Sequence, residues 1–528
     1  MFYYCLHIAL IPLSLLFCAG CKKSDSQSND QSKTLRIATE TDPQTLDPRK
    51  MRDLSSVTVI NMLYEGLMRT QDNGELVPGI AESFTLSPDK KTYTFHLRSS
   101  AWSNGEPVTA YDFEKSWKSM LTPHFPSPNA YQLYPIRGAK AAYEGKGTQA
   151  QIGVHAQNDT TLIVELEQPT PYFLDLTATY FFYPVHASLL KDTGEIKPVQ
   201  TITNGPFKID SWVLHNEFSA IANPYYWDKN KIRLDKIQLI TLDLTASLQL
   251  FNNGELDWAG SPLSTLPVDS LSSLKKEGKL RVAPAAGVYF FRINTERSPF
   301  NHVKMRRAFA FALNREDLVT HALQGNQIPA TGVIPPSFIS TAPLFKDHSL
   351  AEAKKLFQEA LAEQSITVQD LPIIYIQYGA GERNHKIAQV AEQQWKEAFG
   401  VNIQLRNLEG KVHFEKLKER DYQLALGSWF ADFRHPISFL EIFKHKDNGT
   451  NNTQWENQQF IALLNQSITP DKTEERNQKL RSAEEILISE MPVIPLFFSS
   501  YNYLENPELK GVYFSELGYL DFKQAFFE

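Results

Sequence analysis

Residues 371–405 read LPIIYIQYGAGERNHKIAQVAEQQWKEAFGVNIQL, and three patterns follow one another along them. LPIIYI (371–376) is a short apolar run, and NHKIAQVAEQQWKEAF (384–399) sets Ile387, Ala391, Trp395 and Ala398 on one helical face. VNIQL (401–405) then alternates with period two. Gly400 follows the last helical residue, where a left-handed C-cap favours a residue without a Cβ. The pattern predicts strand, helix, strand: a crossover that lays two parallel strands under its helix. An α/β fold is expected.

Beyond it, YQLALGSW (422–429) reads as another strand and runs into GSWFADFRHPISFL (427–440). In open α/β sheets the ligand crevice lies past the carboxyl ends of strands, which is where Asp432 falls. Its neighbours Trp429, Phe430 and Phe433 are aromatic, and a carboxylate there loses hydration that a cation or hydrogen-bond donors must replace. Two partners are open: a cationic ligand group, or Arg434, two residues on and therefore on the same side of an extended chain.

Toward the N-terminus, TLRIAT (34–39) alternates like a strand and LDPRK follows as a turn. TYTFHL (92–97) places Tyr93, Phe95 and Leu97 on one side. The turn Asn104-Gly105 precedes Thr109 and Asp112, spaced as a capping box for a helix through Phe113 and Trp117. NHVKMRRAFAFALNREDLVTHALQ (301–324), with Val303, Phe309, Leu313 and Val319, reads as mostly helical. Ser349 and Glu352 open SLAEAKKLFQEALAEQ (349–364) as a second capping box.

The 528 residues, 42% hydrophobic and 12% aromatic, suffice for two or three domains. The net charge of −7 is spread without a basic stripe, which argues against a nucleic-acid partner. All three cysteines, Cys5, Cys18 and Cys21, stand in the first 21 residues, so the remaining chain has no thiol for a disulfide, a metal or a nucleophile. LHIALIPLSLLFCAG (6–20) is apolar but shorter than the ~20 residues that span a bilayer, as in a secretion signal. The polar tract KKSDSQSNDQSK follows Cys21 as a tether. The order resembles a bacterial lipoprotein signal, which implies cleavage before Cys21 and its acylation. Cys18 where leucine is usual and an n-region without Lys or Arg depart from that pattern, and a plain cleaved signal is the alternative.

G-x-S-x-G, H-E-x-x-H, G-x-x-x-x-G-K-[ST] and G-x-G-x-x-G are all absent. The thirteen histidines, His435 and His445 among them, show no tight ligand spacing, so no metal and no cofactor is expected. A catalytic carboxylate pair has no positive support in the pattern.

Seven words then occur in one order: AESFTLSPDKKTYTFHLRSSAWSNGEPVTAYDFEKSW (81–117), TNGPFKIDSW (203–212), NPYYWD (223–228), GELD (254–257), RINTERSPFNHVKMRRAFAFALNRE (292–316), AEAKKLFQEA (351–360) and GSWFADFRHPISFL. Together they resemble the family-5 extracellular solute-binding proteins, and among them the oligopeptide-binding lipoproteins of bacterial ABC peptide importers. The resemblance implies a two-lobed, class II periplasmic-binding-protein fold with an inserted domain. It places domain I at 34–64, 188–290 and 496–528, domain II at 65–187 and domain III at 291–495, behind a signal at 1–20 and a tether at 21–33. It implies a monomeric, non-enzymatic receptor, held at a bacterial membrane in the periplasm by lipidated Cys21, that passes oligopeptides to permease subunits. A surface adhesin or signalling ectodomain, or an enzyme using cleft acids, are the alternatives.

The resemblance further implies that Asp432, in the W-x-x-D spacing from Trp429, pairs with a peptide's α-ammonium. Ser428, Phe430, Tyr289 and His385 are implied ligand-binding positions beside it. Trp429, Phe430, Tyr289, Phe290 and Phe291 are each either pocket walls or core, and in the expected strand VYFFRIN (288–294) only alternate residues reach a cleft. Ala322 and Leu426 stand where tripeptide-preferring relatives hold Lys and Arg near the ligand's carboxyl end. Arg383 and Lys386 flank the retained His385.

Overall fold

The crossover forms in a computed structural model of the chain, which describes residues 33–528 apart from 52, 72–73, 192–200, 341, 447–448 and 469–471. The signal, Cys21 and nearly all of the tether lie outside the described residues. The strands are Ile374–Gly379 and Ile403–Leu408, parallel over six pairs, with the helix Glu382–Phe399 between them. Ile387, Ala391 and Trp395 are buried, Ala398 half-buried, and Gly400 takes φ +67° as the C-cap. The first strand starts three residues later than the pattern suggests, because Pro372 has no N–H for the ladder.

These strands belong to an eleven-stranded sheet whose order is 403–408, 374–379, 424–430, 281–293, 493–505, 258–260, 34–39, 236–241, 217–222 and 207–213, with 328–329 beside 493–505. Its centre is two thirteen-residue antiparallel strands, Arg281–Ile293 and Val493–Glu505. Their register breaks between Pro284 and Val288 and again between Tyr289 and Phe290. The fold is the two-lobed class II arrangement.

The four-stranded antiparallel sheet 81–86, 92–97, 161–165 and 154–158 stands apart from the large one. Tyr93, Phe95 and Leu97 are buried in it as their alternation predicts. The helix Ala110–Met120 covers it, started by the Thr109/Asp112 capping box, whose carboxylate accepts from the Thr109 N–H at 2.8 Å.

Two expectations need correction. The Ser349/Glu352 box does not close: Ser349 Oγ donates instead to the Lys346 carbonyl at 3.0 Å. The helix Leu350–Glu363 forms regardless, because Ala353, Leu356, Phe357, Ala360 and Leu361 bury one face. The stretch 301–324 is helical but broken at Leu313–Asn314, where Asn314 Oδ1 accepts from the Asp317 N–H and restarts it, and Val303 is exposed rather than core.

Candidate functional site

The site grows from the strand Leu424–Phe430. One edge pairs throughout with 287–293, but the other meets the strand 374–379 only at Leu424 and Ala425. Beyond Ala425 that edge has no partner strand among the described residues, and exposure follows: Leu424, Ala425 and Leu426 are buried, Gly427, Ser428 and Trp429 half-buried, Phe430 exposed. Unpaired backbone N–H and C=O groups of this kind accept an added extended chain.

Asp432 lies two residues past the strand end. Its carboxylate accepts from the Tyr131 hydroxyl at 2.8 Å, and its N–H donates to Ser438 Oγ at 3.3 Å. Burial raises its pKa above the ordinary carboxylate range, while Tyr131 and Gln132 pull it down. Gln132 Nε2 is itself buried without a hydrogen bond. No Lys, Arg or His among the described residues bridges to Asp432. The Arg434 bridge does not form, since Arg434 Nη1 donates to the Gly74 carbonyl at 3.2 Å.

Asp432 opens on a cavity of about 310 Å³ between the lobes, whose wall includes Met51, Asn61, Tyr180, Phe430 and Tyr519. Tyr180 has its hydroxyl pKa raised by burial and by Asp432. Just past Asp432 in the chain, Phe433 stacks on Tyr172 at 4.7 Å, and Tyr172 approaches His435 at 5.4 Å. His435 is buried, and burial pushes its pKa down to about 3, so the ring is neutral. A second cavity of about 290 Å³ adjoins Arg69, Trp227, Asp521 and Lys523. There Arg69 bridges Glu65 and Asp521, and Lys523 bridges Asp228.

Phe430 lines the cavity and touches Tyr289 edge-on, with centroids 6.4 Å apart, and Tyr289 stacks on Phe497 at 4.8 Å. Ser428 sits opposite Tyr289 in the ladder. Trp429 donates Nε1–H to the Ser438 carbonyl at 2.7 Å, fixing the turn that carries Asp432. Phe290 and Phe291 are fully buried core residues. His385 stands exposed at the helix start with Nδ1 2.6 Å from the Tyr378 hydroxyl, and it does not line this cavity. Leu426 is 3% exposed in the core, and Ala322 packs against the same core from the helical turns 318–323. Tyr131, Asn61 and Tyr180 were not legible as site residues: each lies on a different element, joined to Asp432 only in space.

A two-lobed sheet with a cavity at the end of a strand whose edge is bare is the architecture of a binding protein. Residues 75–451 match the bacterial extracellular solute-binding proteins, family 5, and the chain belongs to that family. It is 39% identical over 538 residues to the oligopeptide-binding protein OppA of Bacillus subtilis, covering 99% of each chain. Identity to that organism's dipeptide-binding protein DppE is 33%, covering 98% of this chain and 97% of the relative. Among solved structures it resembles the murein tripeptide-binding protein MppA of Escherichia coli (TM-score 0.78, 27% identity, 94% and 99% covered). Haemophilus influenzae OppA in complex with the peptide RPPGFSPFR is similar too (TM-score 0.76, 26% identity, 94% and 99% covered).

Proposed function

We propose that this protein is an extracytoplasmic receptor that captures oligopeptides between its lobes and delivers them to an ABC importer. The observation that carries the reading is Asp432: a carboxylate in a largely protein-walled site, with no cationic partner, at the end of a bare strand edge. A peptide supplies both missing partners at once, an α-ammonium with three donors and an extended backbone. Relatives named for oligopeptide, dipeptide and murein-tripeptide binding support the ligand class. Ser428, Phe430 and Tyr289 supply backbone and apolar contact, Trp429 holds the Asp432 turn, and His385 lies farther along for longer ligands.

Domains I, II and III take the boundaries given above, with the register breaks in 281–293 serving as the hinge. The protein acts as a monomer without catalysis, anchored through acylated Cys21.

Calorimetry tests the reading. Removing one partner of a buried charge pair costs roughly 3–5 kcal/mol. Asp432→Asn therefore weakens free-amine peptides by at least about a hundredfold, at about 1.4 kcal/mol per factor of ten. N-acetylated peptides bind the wild type poorly and lose little more on mutation, which makes the two changes non-additive. Equal affinity of the variant and the wild type for free-amine peptides would show Asp432 to be structural.

A further inference from the structure

A second uncompensated charge lies along the same strand. Arg292 is 9% exposed, yet its guanidinium makes no hydrogen bond and no ion pair with any described residue. Its aromatic neighbour is the Phe290 ring, 4.9 Å from the guanidinium carbon to the ring centroid. A cation–π contact of this kind is a weak return for burying a guanidinium. None of its nitrogens is among the fully sealed, unpartnered atoms of the protein, so the group keeps an opening to solvent. Burial lowers its pKa, and the only group acting the other way is the Tyr422 phenol rather than a carboxylate. His413 beside it is pushed down by burial and by this same charge.

The placement says what the opening faces. Phe290 pairs with Gly427 and Arg292 with Ala425, so Phe290, Arg292 and Gly427 share one face of the sheet. Arg292 lies folded over Gly427: a Cβ at that position would fall on Arg292 Nη1. Gly427 is the first half-buried residue beyond the last pairing with 374–379, where the edge becomes bare. A chain whose ammonium sits at Asp432 and which runs back along this edge advances about 3.3 Å per residue. Gly427 stands five residues before Asp432, so one of the chain's first five residues comes level with Gly427, and in an antiparallel pair directly opposite residues project to the same face.

We propose that Arg292 is a carboxylate-accepting subsite of the cleft, which selects peptides carrying an acidic side chain at one of the first five positions or ending there in a free carboxylate. The inference rests on the cleft being a peptide site. The anionic Asp432 and the cationic Arg292 then bracket one stretch of bare edge, and a carboxylate on Arg292 forms the charge-assisted, bidentate contact that arginine geometry favours.

The test is calorimetry on the full chain with alanine hexapeptides bearing Glu or Gln at each of positions two to five, and with dialanine to pentaalanine and their C-terminal amides. In one of these pairs the carboxylate form binds at least about tenfold tighter, the size expected of one charge-assisted contact. A Glu-over-Gln preference identifies a side chain as the source, and a preference for the free acid over the amide identifies the terminus. Arg292→Gln collapses that ratio toward unity. Gly427→Ala, whose added methyl displaces the guanidinium, lowers it as well, so the result does not hang on one variant. If the neutral peptides bind but every ratio in the wild type is near unity, or if both variants keep the preference, the inference is overturned. If no peptide binds at all, the cleft reading falls and this inference with it.

Discussion

Two groups of buried charges in this molecule are built in opposite ways. Around Glu65, which is 1% exposed, Arg69 donates at 3.0 Å, Tyr226 at 2.8 Å, and the Trp227 indole as well, while Arg69 also reaches Asp521. Lys523 closes the cluster on Asp228 at 3.0 Å. Along the strand 424–430, by contrast, Asp432 has no cation and Arg292 no anion among the described residues. A charge desolvated by folding is costly unless paired. The first cluster meets that cost within the chain and ties residues 65–69 to 226–228 and 521–523. The second leaves it open among the described residues.

The largest expected effect tests the closed cluster. Glu65→Ala takes from Arg69 one of its two carboxylates and leaves the Tyr226 hydroxyl and Trp227 indole without their shared acceptor, and costs about 3–5 kcal/mol of unfolding free energy, read by urea denaturation of the ligand-free protein. A loss below about 1 kcal/mol, the range of surface pairs, would erase the contrast. Asp432→Asn does the reverse. A carboxyl whose folded pKa is raised is a stability cost at neutral pH, so the ligand-free variant unfolds at the same midpoint as the wild type or a higher one. A lowered midpoint would mean that Asp432 is compensated within the fold.

His435 is a third case, a base kept neutral by burial. Its folded pKa of about 3 lies below the ordinary value near 6.5. The stability it allows is therefore complete above pH 6.5 and is lost as pH falls toward 3. Asp175, pushed up to about 6 by burial, acts in the opposite sense over the same range. Comparing the wild type with His435→Gln isolates the histidine: the variant gains about 1–2 kcal/mol relative to the wild type between pH 7.5 and pH 5. A constant difference would show that His435 titrates normally.

The smallest effect belongs to Tyr131→Phe. Its hydroxyl lowers the Asp432 pKa, so removing it moves the acid limb of peptide binding to higher pH. An unmoved limb would assign that limb to another group.

Local rules carried much of the fold. The crossover was legible because Trp395 and its neighbours follow a helical period between two strand periods, with Gly400 marking the change. Thr109 and Asp112 cap as their spacing predicts, whereas Ser349 does not, because its hydroxyl finds the Lys346 carbonyl first. Of the site, Asp432 was legible as an acid past a strand end. That it lacks a cation was not, because Arg434 stands two residues away in sequence and turns to Gly74 in space. Arg292 reads in sequence as one more residue of an apolar strand. Its isolation depends on which acids approach it in space, and on Gly427 leaving room above the backbone.

The bare edge has one more consequence, and it concerns solubility. An unpaired strand edge of this kind is a template for sheet-to-sheet association between copies of a protein. Here the strand ends at Phe430 on a cavity also walled by residues 51–61, 178–180 and 517–519, which leaves room for a single extended chain rather than for the flat edge of another folded molecule. The lobes are chaperones of their own sheet as much as jaws for a ligand. The ligand-free, opened form is then the one that most needs dilution or a filler peptide to stay dispersed.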